Sequence, residues 1–198
     1  FEAIYSASFK FGFDLIKNKT CTFLPDVLPN TNVILNELYS YEDQSEGIRR
    51  VIELGEQGES LVLGLADDKI AVPGATVATA YDIAILSSNG PSTRLDNRMK
   101  FPFYNRMALS VQQQVDALYR QLLIFNEENG IGWSDVAVLS SIDENSFEYS
   151  NYFIQIAKEE GILTVAAYQQ ILPSQIDFSL ELNEIIKSGA RIIVSSIF

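Results

Sequence analysis

"SLVLGLADDKIAVPGATVATAYDIAILSS", residues 60–88, decides the fold. Two apolar runs, LVLG and IAIL, flank a segment of helical length that opens on Asp67-Asp68. Neither run alternates apolar with polar, so both faces of the strands they form are expected to be covered. Two strands joined by one helix run parallel, because parallel neighbours need a crossover rather than a hairpin. Each run stops on small polar residues, Ala66-Asp67-Asp68 after the first and Ser87-Ser88-Asn89-Gly90 after the second.

The same unit recurs on either side. Residues 1–17 place Ile4, Ala7, Phe11 and Leu15 about one turn apart, as an amphipathic helix entered without a cap. NVILNELYSYED (32–43) alternates and then turns polar, as a strand with its loop does. SEGIRRVIELGEQG (45–58) follows as a helix with Ile48, Val51 and Ile52 on one face, Ser45 as cap and Gly58 as stop. Beyond residue 110 come helix SVQQQVDALYRQLLIFNEENG, strand DVAVLSS, helix SFEYSNYFIQIAKEEG, strand ILTVAAY, helix DFSLELNEIIKSG and strand RIIVSSIF. Val111, Val115, Leu118, Leu122 and Phe125 form the apolar stripe of the first of these helices. Alternating helices and strands with glycine exits specify an α/β fold with parallel sheets covered on both faces. Residues 90–109 break the rhythm with Pro91, Pro102 and the basic, aromatic RMKFPFYNR. They read as a crossing between two α/β lobes, the alternative being one continuous sheet with a long loop.

Composition restricts function. The 198 residues are 47% hydrophobic and 20% charged, the profile of a soluble globular chain with a core. No run reaches the roughly 18 to 20 apolar residues of a membrane span, and no stretch reads as a signal peptide, so any membrane link lies in segments outside this chain. A net charge of −12 with scattered Lys and Arg repels nucleic acid and anionic membrane surfaces. The sequence has no histidine and one cysteine, Cys21, which excludes zinc clusters and histidine-based triads and leaves no internal disulfide. No cofactor and no metal site are expected.

Ligands of open parallel sheets bind beyond the carboxyl ends of the strands. Here those ends carry Asp67, Asp68, Ser87, Ser88, Asn89, Gly90, Ser140-Ser141-Ile142-Asp143-Glu144 and Ser195-Ser196. Short hydroxyls and carboxylates provide donors and acceptors without a catalytic pKa, which suits recognition more than reaction. The same residue types are ordinary helix caps and turn formers, and each cluster precedes a helix or turn. Asp67 and Asp68 also match the acidic pocket of a flavodoxin-like or response-regulator-like phosphoacceptor or a magnesium-dependent enzyme, although no GxxxxGK[ST] or GxGxxG loop accompanies them. Ser87 and Ser88 lack a GxSxG elbow and an activating histidine. Asn18-Lys19-Thr20 is an N-glycosylation sequon, compatible with a secreted or extracellular face.

Leu28-Pro29-Asn30 before NVILNELY, Leu95-Asp96 followed by Phe101-Pro102-Phe103-Tyr104-Asn105-Arg106, Gln114 in the next helix and Gly132-Trp133 before a strand resemble, in order and spacing, the receptor family ligand-binding region. That region occurs in family C G-protein-coupled receptors, natriuretic-peptide-type receptor guanylyl cyclases and ionotropic glutamate receptor amino-terminal domains, all relatives of the type I periplasmic binding proteins. The resemblance implies a Venus-flytrap fold of two Rossmann-like lobes, incomplete at both ends: residues 1–107 as the first lobe lacking its first strand, and 108–198 as the front part of the second. It implies a non-enzymatic receptor domain that closes on a small-molecule or peptide ligand, at the extracellular face of the plasma membrane or, for a solute-binding protein of a transporter, in the periplasm. The binding loops then fall on Asp67 and Asp68, on Ser87, Ser88, Asn89 and Gly90, and on Asn145, Ser146 and Phe147. Val111 stands where amino-acid receptors of this family often carry an aspartate, and Asp67 and Asp68 replace a serine-rich pattern, so an α-amino-acid ligand is disfavoured against a neutral, cationic or peptide ligand or a degenerate pocket used only for dimerisation. First-lobe helices at about 45–57 and 68–82 are the family's dimer surface, and Cys21 lies where some members begin a disulfide, with no matching cysteine here.

Overall fold

The structure, a computed structural model, describes residues 2–20, 30, 34–40, 43–130, 132–172 and 174–197. The chain divides into two compact units, Phe1–Leu38 and Tyr39–Phe198. The first holds α1 (Glu2–Lys17). Lys19 closes that helix in the left-handed region, and the Thr20 amide returns to the Leu15 carbonyl at 2.9 Å. Lys10 pairs with Glu37 at 2.7 Å. Residues 34–40 carry no strand, contrary to the alternation of NVILNELY, and Ile34 is exposed. Alternation of side chains does not itself supply the backbone ladder that makes a strand. Cys21, Leu28 and Pro29 lie outside the described residues.

The second unit contains α2 (Gln44–Glu56), β1 (Leu61–Leu63), α3 (Asp68–Ala80), β2 (Ala84–Ser87), a 3₁₀ turn (Thr93–Asp96) and β3 (Tyr104–Arg106), then α4 (Val111–Asn129), β4 (Asp135–Ser141), α5 (Glu144–Glu160), β5 (Thr164–Ile171), α6 (Ser179–Ser188) and β6 (Ile192–Ser196). The strands form two separate three-stranded sheets, β1-β2-β3 and β5-β4-β6. Every strand pairing among the described residues is parallel.

Each sheet has its own apolar core. Under the first, Val62 and Ile85 of the strands meet Val51 of α2, Ala71 and Ala75 of α3, and Leu95, Phe101 and Tyr104. Under the second, Val136, Val138 and Val194 meet Val111, Val115 and Tyr119 of α4 and Phe153 of α5. Tyr119 and Phe153 pack edge to face, ring centroids 5.9 Å apart. The buried stripe of α4 therefore runs through Tyr119 rather than out to Phe125, which is 44% exposed.

Helix α3 persists through Pro73, which removes one rung of its hydrogen-bond ladder. The adjoining Gly74 explains its place: a Cβ there would stand 2.9 Å from Leu65 Cδ1. The start of α2 differs from expectation. Asp43, not Ser45, caps it, its carboxylate accepting from the Glu46 amide at 2.7 Å, and Ser45 lies two residues further on, already inside the helix. Asp43→Ala is expected to cost about 1 kcal/mol, and Ser45→Ala less than about 0.5 kcal/mol. Urea unfolding midpoints of the two variants check the assignment.

Candidate functional site

The residues following β2 form a strap, 89–96, that crosses the carboxyl ends of the strands. Gly90 turns it at φ +78°, a conformation that suits glycine because a Cβ would crowd the preceding and following carbonyls. Here the space is filled as well: a Cβ on Gly90 would lie 2.2 Å from Tyr104 Oη and 3.6 Å from Asp68 Oδ1. Arg106, at the end of β3, clamps the strap from below. Its Nη1 donates to the Gly90 and Ser92 carbonyls at 2.9 Å each, and its Nη2 pairs with Asp96.

Two carboxylates then take successive amides of the strap. Asp68, the first residue of α3, accepts from the Ser92 amide at 3.2 Å through Oδ1. Glu148, on α5, accepts from the Thr93 amide at 2.9 Å and from the Thr93 hydroxyl. Beside them Arg94 pairs with Glu144 at 3.2 Å. The strap thus joins elements of the first sheet to the helix that follows β4 of the second. Asp68 is 7% exposed, and its Oδ2 accepts no hydrogen bond from a described residue. Burial pushes its pKa up to about 6; the Ser92 amide and Arg106 oppose this, while Glu148 and Asp67 add to it. Tyr104, buried beneath the strap, is likewise pushed up by desolvation.

The predicted site residues separate into two groups. Asp67 is exposed and caps α3, accepting from the Lys69 amide at 2.9 Å. Ser87 is fully buried and donates to the Leu65 carbonyl at 3.0 Å, holding Leu65 at φ +56°. A bulky residue in that region is strained and is retained only where neighbours over-determine it. Ser146 is also fully buried, bonded to Ser141 Oγ at 2.7 Å and to Asp143 Oδ2 at 2.6 Å. Ser150 and Ser196 extend this inward network, with 2.9 Å between their hydroxyls. Asp143 caps α5, and although burial opposes ionisation, the hydroxyls of Ser141 and Ser146 and nearby amides hold its pKa down. These groups build the frame. Ser88, just before the strap, and Asn89 at its start are exposed, Asn145 is half-buried, and Phe147 is 54% exposed.

Phe147 lines a shallow cleft, wide open to solvent and of about 350 Å³, with Ile142, Asp143, Glu144 and Gln170, above the carboxyl ends of β4 and β5. Its walls are apolar with a carboxylate rim. The strap meets the start of α5 through Thr93–Glu148 and Arg94–Glu144, whereas the cleft beside Phe147 is lined from β4, β5 and α5 alone. The structure also adds Ser92, Thr93, Arg106 and Glu148, which the sequence analysis did not single out as site residues. Thr93 and Glu148 stand 55 residues apart, a separation across which no local motif signals contact. Glu148 lies one turn after Glu144, and that spacing on a helix start was the available clue.

The aspartate pair that suggested a phosphoacceptor is divided between two tasks, capping for Asp67 and strap binding for Asp68. Among the described residues no three His, Cys, Asp or Glu side chains cluster to hold a metal ion, and no helix is long and apolar enough to cross a membrane. No curated protein matches the chain. The model of the receptor family ligand-binding region matches residues 24–197, spanning both sheets, the strap and the cleft. The chain, with its two parallel sheets in the periplasmic-binding-protein-like arrangement, belongs to the receptor family ligand-binding region.

Proposed function

We propose that the chain is the ligand-sensing part of a cell-surface receptor and works by closure of two lobes on a small ligand. The first lobe runs to Met107 and the second begins at Ala108. One observation carries this: the strap after β2 is bonded to α5 of the other sheet through Thr93–Glu148 and Arg94–Glu144, beside an apolar cleft. Contacts of this kind break when the lobes part and form when they approach. A ligand touching both sides then favours the closed state by its differential affinity.

Ser88, Asn89 and the Gly90 turn supply polar contacts from the first lobe, and Asn145 and Phe147 from the second. Ser87, Ser146 and Asp67 hold these loops in place. The role is recognition and not catalysis, in keeping with hydroxyls that are bonded inward and a chain without histidine. An extracellular location agrees with family membership and with the exposed Asn18-Lys19-Thr20 at the end of α1, where Asn18 would carry the glycan. Helices α2 and α3 are the surface for a homodimer.

The test is a thermal-shift series with amino acids, polyamines, nucleosides and short peptides. Ligand at a hundredfold excess over its Kd stabilises the native state by about 2.7 kcal/mol. The expected result is a shift with at least one class that is lost in Phe147→Ala and Ser88→Ala. No shift with any class, in a chain that unfolds cooperatively, contradicts ligand sensing.

A further inference from the structure

We infer that the junction of Asp68, Glu148 and the strap is a subsite for an organic ammonium group, so that the ligand is an amine with an apolar body and no carboxylate. This rests on the ligand-sensing role proposed above and specifies its chemistry.

The two carboxylates reach the same strap from opposite sheets and take adjacent amides, Asp68 at Ser92 and Glu148 at Thr93. Among the described residues none donates to Asp68 Oδ2, which is buried on a side chain only 7% exposed. A buried carboxylate oxygen without a donor is costly unless something occupies it at another stage of the cycle. The charged groups around it are Asp67 at the start of α3, Glu148 on α5 and Arg106 on β3. Arg106 is the one cation among them, and it is committed to the Gly90 and Ser92 carbonyls and to Asp96. Arg94, further along the strap, is paired with Glu144. Negative charge is therefore in excess at this junction, and an anionic group placed there is repelled from both sides.

A divalent metal ion fits less well, because Asp67 is engaged in capping α3 and no three His, Cys, Asp or Glu side chains cluster among the described residues. An ammonium has three donors and needs only such acceptors as Asp68 Oδ2 and the Glu148 carboxylate. Glu144, which pairs with Arg94 of the strap, lines the open cleft that Ile142 and Phe147 make apolar, and that surface suits an apolar or aromatic body. Oδ2 is reached when α5 draws back from the strap. Return of α5 encloses the ammonium between the two carboxylates, so one charge contact joins both lobes.

The experiment measures calorimetric binding of four probes with one aromatic body to the full chain: 2-phenylethylamine, 2-phenylethanol, 3-phenylpropionate and L-phenylalanine. The amine is expected to bind tightest. Asp68→Asn and Glu148→Gln, which keep acceptors for the Ser92 and Thr93 amides, are each expected to weaken the amine by at least about tenfold and the alcohol by less than about twofold. Circular dichroism confirms that both variants fold. Equal binding of amine and alcohol, or an amine affinity indifferent to both variants, overturns the ammonium subsite while leaving ligand sensing intact. Binding of phenylpropionate or phenylalanine in preference to the amine does the same, as does a thermal shift confined to non-amine compounds. Failure of all four probes together with the whole thermal-shift series overturns both.

Discussion

Gly90→Ala is expected to destabilise the chain by about 2 to 5 kcal/mol: about 1 to 2 kcal/mol for a Cβ at positive φ and about 1 to 3 kcal/mol for forcing apart a packed contact. The contact is with Tyr104 Oη, 2.2 Å from where the Cβ would lie, whereas Tyr104 Cζ is 3.5 Å away. Removing only the hydroxyl should therefore recover the packing part. Tyr104→Phe alone loses a long bond to the Asn89 carbonyl, 3.4 Å, worth no more than about 1 kcal/mol. The double variant Gly90→Ala/Tyr104→Phe is predicted to be more stable than Gly90→Ala, with a coupling of about 1 to 3 kcal/mol. Urea denaturation of the four proteins measures it. Strict additivity would show that the strap is not seated on Tyr104 as described.

The second large effect concerns Asp68. A carboxyl whose folded pKa is pushed up to about 6 from an ordinary value of 3.8 binds its proton more tightly in the folded state than in the unfolded one. Its contribution to stability is present below the unfolded value and is lost as pH rises through about 6. The loss has an upper bound of about 3 kcal/mol, reduced by solvent screening at the edge of the strap. Asp68→Asn cannot ionise and still offers an acceptor to the Ser92 amide. The variant is expected to gain about 1 to 2 kcal/mol over the parent at pH 7.5 and almost nothing at pH 4. Unfolding free energies at the two pH values, taken as variant minus parent so that the other carboxylates cancel, check this. An equal difference at both pH values would mean that Asp68 ionises normally. If the ammonium subsite holds, the same substitution strengthens the fold and weakens the ligand, the trade expected where a site stores unfavourable energy for binding.

These two predictions centre on residues that the sequence displayed in unequal measure. The strand-helix-strand unit at 60–88 was legible from two apolar runs with a polar-started helix between them, and the later units repeat it. The lack of alternation did not mean cover on both faces: Leu61 and Leu63 of β1 are 55% and 45% exposed on either side of buried Val62. Strand β3 was not legible, since Tyr104–Arg106 is too short to show any period. NVILNELY shows the opposite: a pattern that fits a strand, where the described residues 34–40 are not strand. Alternation reports which side chains a segment would bury and does not itself specify a strand.

The site was legible as composition and not as geometry. Serines at the strand ends were visible, but a serine that frames a loop and a serine that meets a ligand are the same letter. Burial separates them, and Ser87 and Ser146 turn inward where Ser88 stays exposed. Asp67 and Asp68 look like a pair and act apart, because the first caps a helix and the second is carried inward by the turn of that helix. Glu148 and Arg106 acquire their roles only through the crossing of the strap, a tertiary arrangement that no local spacing encodes.

The most direct test of lobe closure is a distance measurement across the two sheets. Spin labels on cysteines placed at Thr76 of α3 and Lys158 of α5, in a Cys21→Ser background, report the separation by pulsed dipolar spectroscopy. With the compound that gives the largest thermal shift, the distribution is predicted to narrow and to move to shorter distance, and Phe147→Ala is predicted to abolish the change. An identical distribution with and without saturating ligand would contradict closure and leave a rigid binding domain in its place.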